Sequence, residues 1–171
     1  MQRVLVVGQS ASGKSTAARI LASHLAVPHV ELDALFHGPG WVQRDAFADD
    51  VERATEGDSW VVDGNYRAVR DLLWSRADTV VWLDLPRTTT VRRAVTRTFR
   101  RLLLGVELWN GNCERLRTVL RATHPIRWTW QTHAQHRAEY EAQTALAPHL
   151  TVHRLGTPRE VDAWLRDHGA T

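Results

Sequence analysis

The short apolar run Arg3-Val-Leu-Val-Val7 leads straight into Gly8-Gln-Ser-Ala-Ser-Gly13-Lys14-Ser15. Beyond it, Ala17, Ile20, Leu21 and Leu25 recur at one-face helical spacing. A strand, a G-x-x-x-x-G-K-S turn and a helix in that order define a phosphate-binding loop. The chemistry requires these residue types. Gly8 and Gly13 let the backbone turn so that consecutive N–H groups converge on a phosphate, and the helix that follows presents its positive N-terminus to the same oxygens. Lys14 is placed to bridge the β- and γ-phosphates, and the Ser15 hydroxyl to ligate magnesium. The predicted nucleotide-binding set is Gly8, Ser10, Ala11, Ser12, Gly13, Lys14, Ser15 and Thr16, with ATP as phosphoryl donor and Mg2+ as cofactor.

The basic residues single out the same loop. Of 22 lysines and arginines in the 171-residue chain, one is lysine, Lys14. An ammonium is a compact point charge, whereas guanidinium is a planar fork. A lysine kept only here fits a site that needs the former.

The rest of the chain alternates strand and helix patterns. Strands are expected at 3–7, 29–32, 59–62, 79–83 and 150–154, with 33–42 as a loop marked by Gly38-Pro39-Gly40. Helices are expected at 44–56, 67–76, from Pro86 to about 104, at 113–122 and 126–146, and after 155. The alternation implies a parallel sheet with helices on both faces. Segments 4–7, 60–62 and 80–83 are continuously apolar, as for interior strands, whereas 29–32 and 150–153 alternate, as for edges. The fold class is therefore α/β: a three-layer P-loop fold with a five-stranded parallel sheet in the order 2-3-1-4-5. The chain is expected to be one domain, 1–171, with an acceptor-binding segment at about 33–58 and a lid-like segment at about 97–124.

Composition excludes several functions. No apolar run reaches the roughly 18 residues of a membrane span. The N-terminus runs directly into a strand and leaves no room for a leader. The single cysteine, Cys113, forbids an internal disulfide, so a reducing cytoplasm is the expected compartment. Net charge is +3 and the pI about 9.7. No basic tail accompanies them, and nucleic acid is disfavoured as a partner relative to a polyphosphate. His133 and His136 fall at i, i+3 without a nearby third ligand, which argues against a metal site.

The end of the third strand, Val61-Val62-Asp63-Gly64-Asn65-Tyr66-Arg67, resembles the adenylate kinase-like nucleotide kinases. In those proteins an Asp-Gly pair at this point is followed three residues later by arginine. The resemblance implies Asp63 beside the magnesium site and Arg67 on the acceptor. Asn65 and Tyr66 depart from the aromatic-proline pair usual there. The segments 29–36, 39–41 and 60–66 look like the small bacterial topology-modulation or adenylate kinase-related proteins, a likeness that covers most of residues 1–90. Predicted acceptor-binding residues are Asp33, Arg44, Asp63, Gly64, Asn65 and Arg67, with Ser15 and Asp63 at the metal.

Two of these point to different chemistry. Asp33, at the end of strand two, suits orientation and deprotonation of a hydroxyl. Arg44 and Arg67 suit a clamp on a phosphate dianion. After Asp84-Leu85-Pro86, a helix carries arginines at 87, 92, 93, 97, 100 and 101. Arg93 and Arg97 are expected to reach the transferring phosphate, with Arg101 and Arg115 as lid partners. Asp84 is expected at the magnesium shell or as a helix cap, and Trp41 on a base or plugging its loop. Lys14, Asp33, Arg93 and Arg97 form the predicted catalytic set. The expected function is ATP-dependent phosphorylation of a small acceptor, foremost a nucleoside monophosphate or nucleoside. The alternatives are a hydroxyl compound with Asp33 as base, and an ATP-binding regulator with little turnover.

Overall fold

The computed structural model describes residues 1–112 and 125–168, and the side chains of 125–129 are not among those described. The predicted helix at 113–122, with Cys113, Arg115, Arg117 and Arg121, lies outside the described residues.

Five strands make one parallel sheet: β1 (Arg3–Gly8), β2 (His29–Glu31), β3 (Trp60–Asp63), β4 (Thr79–Leu83) and β5 (Thr151–Leu155). Their order is β2-β3-β1-β4-β5, the order expected from the apolar patterns. Val4 is in register with Val61 on one side and Thr79 on the other. The strands between the edges are buried on both faces. Leu5, Val7, Val62, Val80 and Trp82 pack on one side with Phe47, Leu73 and Tyr140. Val4, Val6, Val61, Val81 and Leu83 pack on the other with Ala18, Leu21, Trp164 and Leu165. Period-two alternation thus feeds two apolar cores from each interior strand and produces three layers.

The helices follow from the same bookkeeping of faces. α1 (Lys14–Leu25) and α7 (Pro158–His168) cover one side; α3 (Phe47–Ala54), α4 (Arg70–Arg76) and α6 (Pro125–Leu146) contribute to the other. α5 (Arg87–Leu104) ends at Gly105, whose left-handed backbone (φ 58°) closes the helix.

Two stretches differ from expectation. Residues 33–42 are not all loop: Leu32–Phe36 form a short helix, α2, because Leu32 is fully buried and Phe36 stacks on Tyr66 at 4.3 Å. Tertiary packing overrides the turn signal there. The helix expected at 44–56 is shorter, since Arg44 is drawn into a bond with the Phe36 carbonyl and the chain turns helical only at Phe47.

Gly8, Glu31, Asp63 and Leu83 all stand at the carboxyl ends of their strands. All loops that follow them therefore open on one edge of the sheet, where ligands of open α/β sheets bind.

Candidate active site

At that edge lies a cavity of about 870 Å³ lined from the phosphate loop, the ends of β2 and β3, α5 and α6. Its donor wall is the loop. Gly8 has φ 145°, and a Cβ there would stand 2.7 Å from the Leu83 carbonyl oxygen, so only glycine lets β1 turn against β4. Ala11 (φ 61°) and Gly13 (φ 102°) are also left-handed, and the Ser12 N–H donates to the Gln9 carbonyl at 3.1 Å. This winding turns the loop around an open centre. Lys14 begins α1, and its Nζ donates to the Gln9 carbonyl at 3.1 Å. Burial lowers its pKa, and Arg97 acts in the same sense; Asp33 and Asp63 oppose it.

Both arginines singled out on α5 reach the loop. Arg93 Nη1 donates to the Ser12 carbonyl at 2.8 Å, and Arg97 Nη2 donates to the Ser10 hydroxyl at 3.3 Å. Arg101 lines the same cavity one turn further on. Ser15 and Thr16 line it as well. Ser12 instead turns inward, 1% exposed, so that its backbone rather than its hydroxyl belongs to the cradle.

The opposite wall carries carboxylates. Asp33, at the start of α2, accepts a hydrogen bond from the Tyr66 hydroxyl at 2.5 Å. Burial and then the neighbouring Asp33 charge push the Tyr66 pKa far up, so the phenol remains a donor. Asp63 is 2% exposed, and its Oδ1 lies 3.5 Å from His29 Nε2 without a hydrogen bond. A buried carboxylate oxygen left without a bond, at the rim of a phosphate loop that supplies the Ser15 hydroxyl, fits the hard-oxygen coordination of Mg2+. Gly64 (φ 126°) makes the turn after Asp63, and a Cβ there would stand 2.9 Å from Leu32 Cβ.

The expected phosphate clamp does not assemble in the cavity. Arg44 lies away from it, paired with Asp50 at 2.6 Å and donating to the Leu35 carbonyl at 3.2 Å. Arg67 lines the cavity but is bonded to Glu139 of α6 at 2.7 Å. Arg70, which no motif singles out, shares Glu139 at 3.4 Å and donates to Asn65 Oδ1 at 3.3 Å. Asp84 caps no helix and does not line the cavity. Arg154 (2.6 Å) and Arg137 (3.3 Å) hold its carboxylate, joining β4, β5 and α6. Trp41 does not plug its loop against the core: it is 37% exposed and stands edge-on to His37 (5.2 Å) and to Trp109 (6.4 Å).

Sequence reasoning also missed α6 as a wall. Thr132, Gln135, His136, Glu139 and Tyr140 all face the cavity. Thr132, His136 and Tyr140 recur every fourth residue, a helical stripe that was visible, but nothing local says which loop it meets. Both histidines considered for metal have hydrogen-bond partners. His133 bonds the Leu85 carbonyl at 2.9 Å and His136 the Gln9 side chain at 2.7 Å. Among the described residues no group of three or more His, Cys, Asp or Glu side chains is placed to hold a metal ion, and no helix is long and apolar enough to cross a membrane.

No protein-family model matches the chain, and no curated protein matches it significantly. Solved structures do. A gluconokinase from Sinorhizobium meliloti 1021 superposes with a TM-score of 0.53 at 19% identity, over 98% of this chain and 93% of that one. A shikimate kinase from Bacteroides thetaiotaomicron gives 0.55 at 16% identity, over 97% and 95%. A shikimate kinase from Aquifex aeolicus gives 0.51 at 14%, over 96% and 92%. The architecture is therefore that of the three-layer P-loop kinases, shared along nearly the whole chain. The neighbours named here are kinases of small molecules. At such identities the likeness is one of fold, and the resemblance to adenylate kinase-related proteins rests on the sequence segments alone.

Proposed function

We propose that the protein is an ATP-dependent phosphotransferase acting on a hydroxyl group of a small acceptor, with Asp33 orienting that hydroxyl and receiving its proton. One observation carries the choice of acceptor. Asp33 stands on the cavity wall facing the Lys14 side, held by Tyr66, whereas the arginines suited to an acceptor phosphate are engaged by Asp50 and Glu139. The reading is consistent with neighbours whose names describe kinases of gluconate and shikimate. Nucleosides, which bear hydroxyls, stay within it; nucleoside monophosphates become the rival.

Mechanistically, the loop N–H groups, Lys14, Arg93 and Arg97 would gather the β- and γ-phosphates. The acceptor oxygen attacks the γ-phosphorus as its proton passes to Asp33, and the bond from that phosphorus to the bridging oxygen breaks to release ADP. Magnesium, held by Ser15 and the Asp63 side, would neutralise charge on the phosphates. Tyr66 fixes the carboxylate rotamer and cannot accept the proton itself.

ATP consumption over nucleosides, nucleoside monophosphates and small hydroxylated metabolites, shikimate and gluconate included, tests this. Phosphorylation should fall on a hydroxyl. Asp33→Asn keeps an oxygen for Tyr66 and removes the base, so kcat should drop about 10²- to 10⁴-fold. Phosphorylation of a monophosphate, with Asp33→Asn nearly unimpaired, would overturn the acceptor assignment. Turnover surviving Lys14→Ala would overturn the phosphotransfer mechanism.

A further inference from the structure

α6 carries a stripe whose three members all touch the first two residues of the phosphate loop. Thr132, His136 and Tyr140 lie at i, i+4 and i+8, one above the other on a helix face. The Tyr140 hydroxyl reaches the Gly8 carbonyl at 3.5 Å. Gln9, 6% exposed, is gripped at both ends of its amide: its Nε2 donates to Thr132 Oγ1 at 3.0 Å, and its Oε1 meets His136 Nδ1 at 2.7 Å. With the amide oxygen facing the imidazole, His136 is the donor at Nδ1, and the Thr132 hydroxyl accepts from the amide nitrogen. The backbone of Gln9 is in turn the acceptor for both the Lys14 ammonium and the Ser12 N–H. Where Gln9 goes, the lysine's resting place and the first turn of the loop go with it.

We propose that His136 is a positioning residue for nucleotide binding, acting through the Gln9 side chain to hold the phosphate loop in its receptive winding. The inference rests on the reading of Gly8–Ser15 as a nucleotide site. Physically, the loop's left-handed residues cost conformational energy that only surrounding contacts can over-determine. The Thr132–His136 pair supplies such contacts from a helix some 120 residues away in sequence (|i−j| 123 and 127). Phosphate affinity depends on several N–H groups converging at once, so a loop free to rewind loses part of it before any ligand arrives. No contact of His136 with the phosphate is needed.

Calorimetric titration with MgADP tests the idea without knowledge of the acceptor. His136→Leu and Gln9→Leu should each weaken MgADP about tenfold, the worth of one buried hydrogen bond left unmade. His136→Asn, whose amide can donate from the place of Nδ1, should restore affinity to within about threefold of the wild type. Because the two residues act as a unit, the His136→Leu/Gln9→Leu double variant should bind about tenfold, not about a hundredfold, more weakly than the wild type. Wild-type affinity in His136→Leu overturns the proposal, as does a failure of asparagine to rescue or a multiplicative double variant. If the leucine variants do not fold, the asparagine variant and Gln9→Glu, which keeps an acceptor for His136, carry the comparison: the former must bind MgADP nearly as the wild type does. A wild-type protein that does not bind MgADP sinks the nucleotide reading itself and this inference with it.

Discussion

Gly64 sets the turn that aims Asp63 into the site, and its replacement by alanine separates two costs that usually come together. The residue has φ 126°, outside the region that side-chain-bearing residues adopt. Holding alanine there costs about 1–3 kcal/mol. Its Cβ would also stand 2.9, 3.1 and 3.2 Å from Leu32 Cβ, Cδ1 and Cγ. Leu32 is fully buried and cannot swing aside, and such overpacking adds about 1–3 kcal/mol. Gly64→Ala should therefore cost about 4 kcal/mol, and at this chain length Tm should fall about 8–16 °C. Gly40→Ala is the internal control: φ is 72° but nothing lies within 4 Å of its Cβ. Strain alone, about 1–2 kcal/mol, should lower Tm by about 2–8 °C. Thermal unfolding followed by circular dichroism, with urea titration to check that m is unchanged, measures both. In Gly64→Ala/Leu32→Ala the contacts to Cγ and Cδ1 are removed while the one to Cβ stays, so part of the steric cost is relieved and the combined loss should be smaller than the sum of the single losses. Equal shifts for Gly40→Ala and Gly64→Ala, or strict additivity with Leu32→Ala, would refute the assignment of a backbone-plus-contact cost to this turn.

Two further outcomes are expected. Arg93→Ala should lower kcat about 10²- to 10³-fold with little change in acceptor KM, whereas Arg100→Ala, exposed and outside the cavity, should change kcat less than about threefold; steady-state kinetics decides, and equal losses would deny Arg93 its place over the loop. Asp78 accepts the N–H groups of Gln2 and Arg3 at 2.9 Å each. Burial would raise its pKa, but the Thr79 hydroxyl and those two N–H groups outweigh it and hold the carboxyl below its usual value. A carboxyl depressed in the folded state contributes stability above its unfolded pKa and loses it as pH falls through the folded one. Asp78→Asn should therefore cost stability at neutral pH and narrow the gap to the wild type below about pH 4, read by urea unfolding across pH.

The donor half of the site was legible because its chemistry is local. Gly8 to Ser15 contain the turn, the ammonium and the helix start within one stretch, and Arg93 and Arg97 follow from helical spacing on the next crossover. The sheet order was legible because strands buried on two faces differ in pattern from edge strands. The acceptor half was not. Arg44 looked like a clamp because no local period reveals that Asp50, six residues on, would take its guanidinium. Arg67 and Arg70 meet Glu139 about 70 positions later, and Gln9 meets His136 across the whole fold. Partners at such separations are chosen by packing of α6 on the sheet, which no local period encodes. The partner of Asp84 was hidden for the same reason, as Arg154 lies on another strand.

The turn at Trp109–Gly111, after α5, is tied to the loop that follows Asp33. Asn110 Nδ2 donates to the His37 carbonyl at 2.5 Å, Asn112 Nδ2 to that of Gly38 at 2.9 Å, and the Trp41 N–H returns a bond to Asn112 Oδ1 at 3.0 Å. In mechanical terms this is a coupling rod. One end of the strap is the arginine helix lying over the phosphate loop; the other is anchored four residues from the carboxylate on the far wall. Moving the end of α5 without moving the loop after Asp33 would break these three hydrogen bonds, so the two walls of the cavity are tied to one another outside the sheet.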